Sequence, residues 1–185
     1  IIIPSISKGT CEINNILKSA DVLHTLDAFK SMGVRITENK EKLLIHGKGL
    51  TSLCESKNPI YLGNSGTSAR LLTGLLSAQK FKSVLIGDKS LSKRPMGRIS
   101  EPLTQMNAKI YTTNGSLPLT INSSSLKPTN IDLKIPSAQI KSGLLLAALN
   151  IQGETTIIES KITRDHTEIM LKSFGANIKI TNKDN

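Results

Sequence analysis

Three stretches of this 185-residue chain end a helix in the same way, and that repetition limits the fold more than any other feature. Phe29–Ile36 reads FKSMGVRI, Leu103–Ile110 reads LTQMNAKI and Leu171–Ile178 reads LKSFGANI. Each places an apolar helix tail before a residue that tolerates positive φ (Gly33, Asn107 or Gly175) and a β-prone run after it. Upstream of each cap lies another β-rich segment: TCEINNI (Thr10–Ile16), KSVLIG (Lys82–Gly87) and ETTIIE (Glu154–Glu159). The pattern predicts an α/β (α+β) fold built from a unit of roughly 70 residues used three times. Its boundaries are expected near 1–60, 61–134 and 135–185.

The three units are unequal. The second and third open with an extra apolar helix, expected at about 65–78 and 137–149, where the first has only IIIPSIS before its first strand. The third has no counterpart of LPLTI (Leu117–Ile121). One incomplete domain over 1–185, cut inside its architecture at both ends, is therefore expected. The start at Ile1, without an initiator Met, agrees with a fragment or a processed product.

Composition narrows the classes. Hydrophobics at 38% supply a core and exclude low-complexity disorder, while aromatics at 3% with no Trp make that core aliphatic. So few rings also leave no stacking platform for single-stranded nucleic acid. The longest aliphatic run, Leu144–Leu149, is far short of the roughly 20 residues of a membrane span, and no signal peptide is visible. Cys11 and Cys54 fit reduced thiols and a cytoplasmic location better than a disulfide framework, with one bridge left open. The net charge of +10 favours anionic partners. It divides evenly between the two halves of the chain and forms no basic tail, which speaks against a nucleic-acid arm. The densest cluster is Lys89, Lys93, Arg94 and Arg98.

Four segments carry candidate chemistry. Gly63-Asn64-Ser65-Gly66-Thr67-Ser68-Ala69-Arg70 leads from an extended run into an apolar helix, with Asn64 or Ser65 as N-cap. It is either a plainly capped helix or an anion site at a helix N-terminus, and it matches neither a Walker A loop nor GxGxxG. Pro136-Ser137-Ala138-Gln139-Ile140-Lys141 starts the equivalent helix of the third unit; Ser137 caps it, and Gln139 and Lys141 offer donors near the same end. Ser90–Arg98 reads as a helix start with Pro95 at the first position and Arg94 and Arg98 on one face. Asp165 and Glu168 are spaced as a capping box, which accounts for the Asp165-His166 pair better than a catalytic dyad does. No His or Cys spacing suits a metal, and no nucleophile elbow or acid–base carboxylate pair is evident.

The strings GNSGTSARLL (Gly63–Leu72), GDKSLSKRPMGRISEPLTQMNAKI (Gly87–Ile110), IPSAQIKSGLLLAAL (Ile135–Leu149) and TRDHTEIMLKSFGA (Thr163–Ala176) resemble those of the 5-enolpyruvylshikimate-3-phosphate synthases. They stand in that family's order and cover nearly the whole chain. The related UDP-N-acetylglucosamine enolpyruvyl transferases share the repeat architecture, but SLSKRPM and RDHTE look like the shikimate branch. The resemblance implies three inverse βαβαββ-type repeats, forming one domain of a two-domain enolpyruvyl transferase fold with the site in the cleft between domains. It implies transfer of the carboxyvinyl group of phosphoenolpyruvate to the 5-hydroxyl of shikimate 3-phosphate, with release of phosphate and with no metal or organic cofactor.

By the same resemblance Asn64, Gly66, Arg94 and Gln139 belong to phosphoenolpyruvate. Ser137, Ala138, Gln139, Thr163 and Arg164 belong to shikimate 3-phosphate. Family members carry a PGDKSISHR-like segment just before the stretch matching IIIPSISKGT, and a C-terminal domain with catalytic carboxylates. This chain is thus expected to hold no catalytic residue, to need that C-terminal domain as its partner, and to be inactive alone. Gly66 stands where glyphosate-sensitive members keep glycine, so inhibition of the intact enzyme by glyphosate is expected. Two other readings compete: a stand-alone anion-binding or regulatory module of the same repeats, and a nucleic-acid binder with the repeat shape of RNA 3′-phosphate cyclases.

Overall fold

Gly33, Asn107 and Gly175 all take the left-handed conformation, with φ of 86°, 73° and 88°, in a computed structural model that describes residues 1–39 and 42–181. At each cap the next amide returns to the carbonyl five residues back, from Val34 to Phe29, Ala108 to Leu103 and Ala176 to Leu171, at 2.9–3.0 Å. The cap's own amide reaches the carbonyl three back, at Lys30, Thr104 and Lys172. This is the Schellman arrangement, which satisfies carbonyls that a helix end otherwise leaves unpaired.

From the amino end the elements are α1 (Ile2–Ile6), β1 (Lys8–Asn14), α2 (Ala20–Ser31), β2 (Arg35–Asn39) and β3 (Lys42–Lys48). Next come β4 (Ile60–Tyr61), α3 (Gly66–Ser77), β5 (Ser83–Ile86), α4 (Gly97–Gln105), β6 (Lys109–Thr113) and β7 (Ser116–Asn122). The last are β8 (Asn130–Leu133), α5 (Ala138–Ala148), β9 (Thr156–Glu159) and α6 (His166–Ser173). The order β–α–β–α–β–β is thus present in full between residues 60 and 122. IIIPSIS is a single helical turn whose Ile3 and Ile6 are buried.

Among the described residues three sheets result. The first is antiparallel in the order β1-β3-β2, the second runs β4-β5-β7-β6, and the third is the parallel pair β8-β9. In the second, β4 and β5 are parallel while β7 pairs antiparallel with both β5 and β6. Leu85, Leu119 and Ile121 of that sheet are fully buried, as are Leu72, Leu75 and Leu76 of α3.

The two opening helices, α3 and α5, form the centre. α5 buries Ile140, Lys141, Ser142, Gly143, Leu144, Leu146 and Ala147, so nearly every side faces protein, as expected of a helix apolar all round. Their backbones touch: a Cβ on Gly74 would stand 1.9 Å from the Gly143 carbonyl oxygen. Only glycine permits that approach.

Several expectations need correction. The strand expected after Gly175 is not formed; residues 176–181 carry no regular structure. The helix after Ser90 does not begin at Pro95. Leu91–Lys93 makes one 3₁₀ turn, Arg94 is extended (φ −78°, ψ 133°), and α4 begins at Gly97. The residue before a proline is pushed out of the helical region, and here that residue is Arg94. Arg94 and Arg98 therefore share no helix face. Asp165 and Glu168 make no capping box, because the Asp165 side chain bonds no amide and Glu168 turns inward to Lys141. Both cysteines are free.

Candidate anion site at two helix N-termini

Two helix starts lie side by side. The Ser65 hydroxyl accepts the Ser68 amide at 3.2 Å and caps α3, so Ser65 rather than Asn64 is the N-cap. The Ser137 hydroxyl accepts the Ile140 amide at 3.5 Å and caps α5. The Gln139 side chain joins the two, its Nε2 donating to Thr67 Oγ1 at 2.8 Å. The N-terminal end of each helix carries partial positive charge and free amides, so both ends favour an anion at the same place.

Arginines add full charges to the same place. Arg70, one turn into α3, donates through Nη1 to the Gly66 carbonyl at 3.0 Å and to Gln139 Oε1 at 3.4 Å. Its Nη2 reaches the Pro95 carbonyl at 3.4 Å. Arg94, extended ahead of that proline, donates from Nη2 to Asn64 Oδ1 at 2.7 Å. Both guanidiniums converge over Gly66: a Cβ there would stand 2.8 Å from Arg70 Nη1 and 2.9 Å from Arg94 Nη1.

The electrostatics of this cluster favour negative charge. Arg70 is held below its usual pKa by burial first, then by the charges of Arg94 and Arg98. Guanidinium does not give up its proton in a protein, so the repulsion stays until an anion relieves it. Among the described residues none of these three arginines is ion-paired.

The structure thus gathers Asn64, Gly66, Arg94 and Gln139 at one point, with Ser137 and Ala138 at the adjoining helix start. It does not bring Thr163 or Arg164 into hydrogen-bond contact with that group. The Thr163 hydroxyl donates to Glu159 Oε1 at 2.6 Å, and Arg164 is exposed without a hydrogen bond or ion pair among the described residues. Lys141, expected to offer a donor to the ligand, points inward instead. Its Nζ lies 2.8 Å from Glu159 Oε2 and 2.6 Å from Glu168 Oε1. Arg70 is the residue the motif reading passed over. Its spacing four after Gly66, on the same helix face, is the signal that would have found it.

The family model for EPSP synthase (3-phosphoshikimate 1-carboxyvinyltransferase) matches residues 1–185. The 3-phosphoshikimate 1-carboxyvinyltransferase of Vesicomyosocius okutanii is 50% identical over 185 residues, covering 100% of this chain and 42% of the relative. That of Leuconostoc citreum is 48% identical over 180 residues, covering 96% of this chain and again 42% of the relative. The chain therefore spans less than half the length of these relatives. The structure of EPSP synthase from Acinetobacter baumannii superposes with a TM-score of 0.94 at 48% identity, covering 97% of this chain and 41% of that one. The enolpyruvyl transferase NikO from Streptomyces tendae shares the fold, with a TM-score of 0.64 at 18% identity over 96% of this chain and 42% of that one. With a family match across its whole length and half its residues identical to a curated relative, this chain belongs to the EPSP synthase family.

Proposed function

We propose that this chain is the substrate-binding part of an enzyme that moves the carboxyvinyl group of phosphoenolpyruvate onto the 5-hydroxyl of shikimate 3-phosphate and releases phosphate, in the route to aromatic amino acids. One observation carries the reading: two capped helix starts meet beneath the converging guanidiniums of Arg70 and Arg94, with Gln139 joining them. Both substrates are phosphorylated, and the planar fork of arginine suits phosphate and carboxylate alike.

In this account Asn64, Gly66, Arg94 and Gln139 hold phosphoenolpyruvate. Asn64 orients Arg94 through its carbonyl oxygen, and Arg70 fixes the Gly66 carbonyl and the Gln139 amide. Ser137, Ala138 and Gln139, with Thr163 and Arg164, hold shikimate 3-phosphate. Fixed positive charge lowers the cost of bringing two anions together and stabilises charge that develops as phosphate departs. The reaction also needs proton transfers at a carbon and an oxygen. Among the described residues no carboxylate or imidazole is hydrogen-bonded to Arg70 or Arg94, and the proposal assigns these transfers to a C-terminal domain. The division into units at 1–60, 61–134 and 135–185 and a cytoplasmic location belong to the same proposal.

Glyphosate is expected to inhibit the full-length protein. A methyl at Gly66 would meet the ends of Arg70 and Arg94, so Gly66→Ala acts by shifting both guanidiniums as well as by filling space.

The test is phosphate release from the two substrates. The full-length protein that carries this chain should turn over, and Arg94→Ala should lower its kcat/KM by about 100-fold or more. The 185-residue chain alone should release none. A full-length protein that binds neither substrate would remove the reading; release by the chain alone would remove the claim that it is inactive.

A further inference from the structure

Lys141, Glu159 and Glu168 form an ion cluster in the interior, one turn into α5 from the site. Their side chains are 9%, 13% and 8% exposed. Burying charge is costly unless the groups are paired and hydrogen-bonded, and here one ammonium serves two carboxylates. Burial presses Lys141 down, but its hydrogen bonds to Glu159 and Glu168 outweigh that and its pKa lies above the ordinary value. Among the described residues the second oxygen of Glu168 is buried with no partner. Such an arrangement is a poor way to gain stability, since apolar side chains of similar volume serve as well or better.

Its geometry suggests another use. Glu159 ends β9, Glu168 lies in the first turn of α6, and the segment 160–165 runs between them. Both ends of that segment are therefore tied to one atom, Lys141 Nζ, on the helix whose start holds Ser137, Ala138 and Gln139. Two further bonds tighten the tie: Thr163 Oγ1 donates to Glu159 Oε1 at 2.6 Å, and the Ser142 and Thr167 hydroxyls share a hydrogen bond at 2.7 Å.

We infer that Lys141 is a positioning residue, clamping segment 160–165 to α5 so that Thr163 and Arg164 face the shikimate 3-phosphate held at the α5 N-terminus. The inference rests on the functional reading above and adds to it a residue that touches neither substrate. Lys141 acts through Glu159 and Glu168 on one side of the site; the Arg70–Arg94–Gly66 side is built without them.

The decisive variant replaces the cluster as a whole, Lys141→Met with Glu159→Leu and Glu168→Leu, because Lys141→Met alone would strand two buried carboxylates. In the full-length protein the KM for shikimate 3-phosphate should rise by about tenfold or more, while kcat and the KM for phosphoenolpyruvate stay within about twofold. Hydrogen exchange should quicken at amides 160–165 and not at amides 64–68. A merely structural cluster would move both KM values together or neither, and either result overturns the inference. So does unchanged exchange at 160–165. The unaltered protein separates the two levels. Failure to bind shikimate 3-phosphate there removes the functional reading and this inference with it, whereas binding there with equal affinity in the variant removes only the inference.

Discussion

The stretch from residue 60 to 122 and the stretch from 130 to 181 use the same helix ends and reach different outcomes. Asn107 and Gly175 close α4 and α6 with the same pair of Schellman bonds. After Asn107 the chain forms β6, which pairs with β7 in a four-stranded sheet. After Gly175 it forms no strand, and the only sheet in that region of the described residues is the pair β8-β9. The residue before each cap records the consequence: Met32 and Met106 are fully buried, whereas Phe174 is 41% exposed. Ile135, Ile158, Ile162, Ile169, Met170 and Ile180 are exposed in the same region. A helix cap is a local device that closes on its own bonds. A strand needs a neighbouring edge, and without one the apolar side chains it would cover stay at the surface.

The largest test of that contrast compares the two residues before the caps. Met106→Ala should cost about 2–5 kcal/mol in denaturant unfolding, the range for emptying a closed core. Phe174→Ala should cost less than about 1.5 kcal/mol, because much of the ring is already in water. Equal losses would mean that α6 is packed as tightly as α4. A smaller effect probes what the regions share. Gly33→Ala and Gly175→Ala each force a methyl into a left-handed position with no clash closer than 3.5 Å, and should each cost about 1–2 kcal/mol. A cost at Gly175 near zero would show that its cap depends on packing the region lacks.

The same division between local and distant explains what could be read in advance. The caps at Gly33, Asn107 and Gly175, the two opening helices and the Ser137 N-cap all follow from residues within a turn or two, and they stand where the sequence puts them. Asn64, Gly66, Arg94 and Gln139 could be named only through the family resemblance of their motifs, and their convergence depends on α3 and α5 touching at Gly74 and Gly143, which no local pattern announces. Pro95 shows two local rules in conflict: proline favours the first position of a helix, but it also extends the residue before it, and the second rule prevailed at Arg94. Lys141 departs from its expected place for a different reason. Near a helix N-terminus a lysine is normally solvated; its burial depends on Glu159 and Glu168, which approach only when β9 and α6 fold against α5.

The central claim, that the joined starts of α3 and α5 form a selective site for a phosphorylated substrate, is tested most directly by calorimetric titration of the 185-residue chain. Shikimate 3-phosphate and inorganic phosphate are each titrated at low and at physiological salt. Weak binding is expected from this part of the protein, with shikimate 3-phosphate preferred at both salt concentrations and the preference lost in Gln139→Ala. If the two ligands bind alike and both fade as salt screens the arginines, the cluster is a diffuse basic surface and the account is wrong.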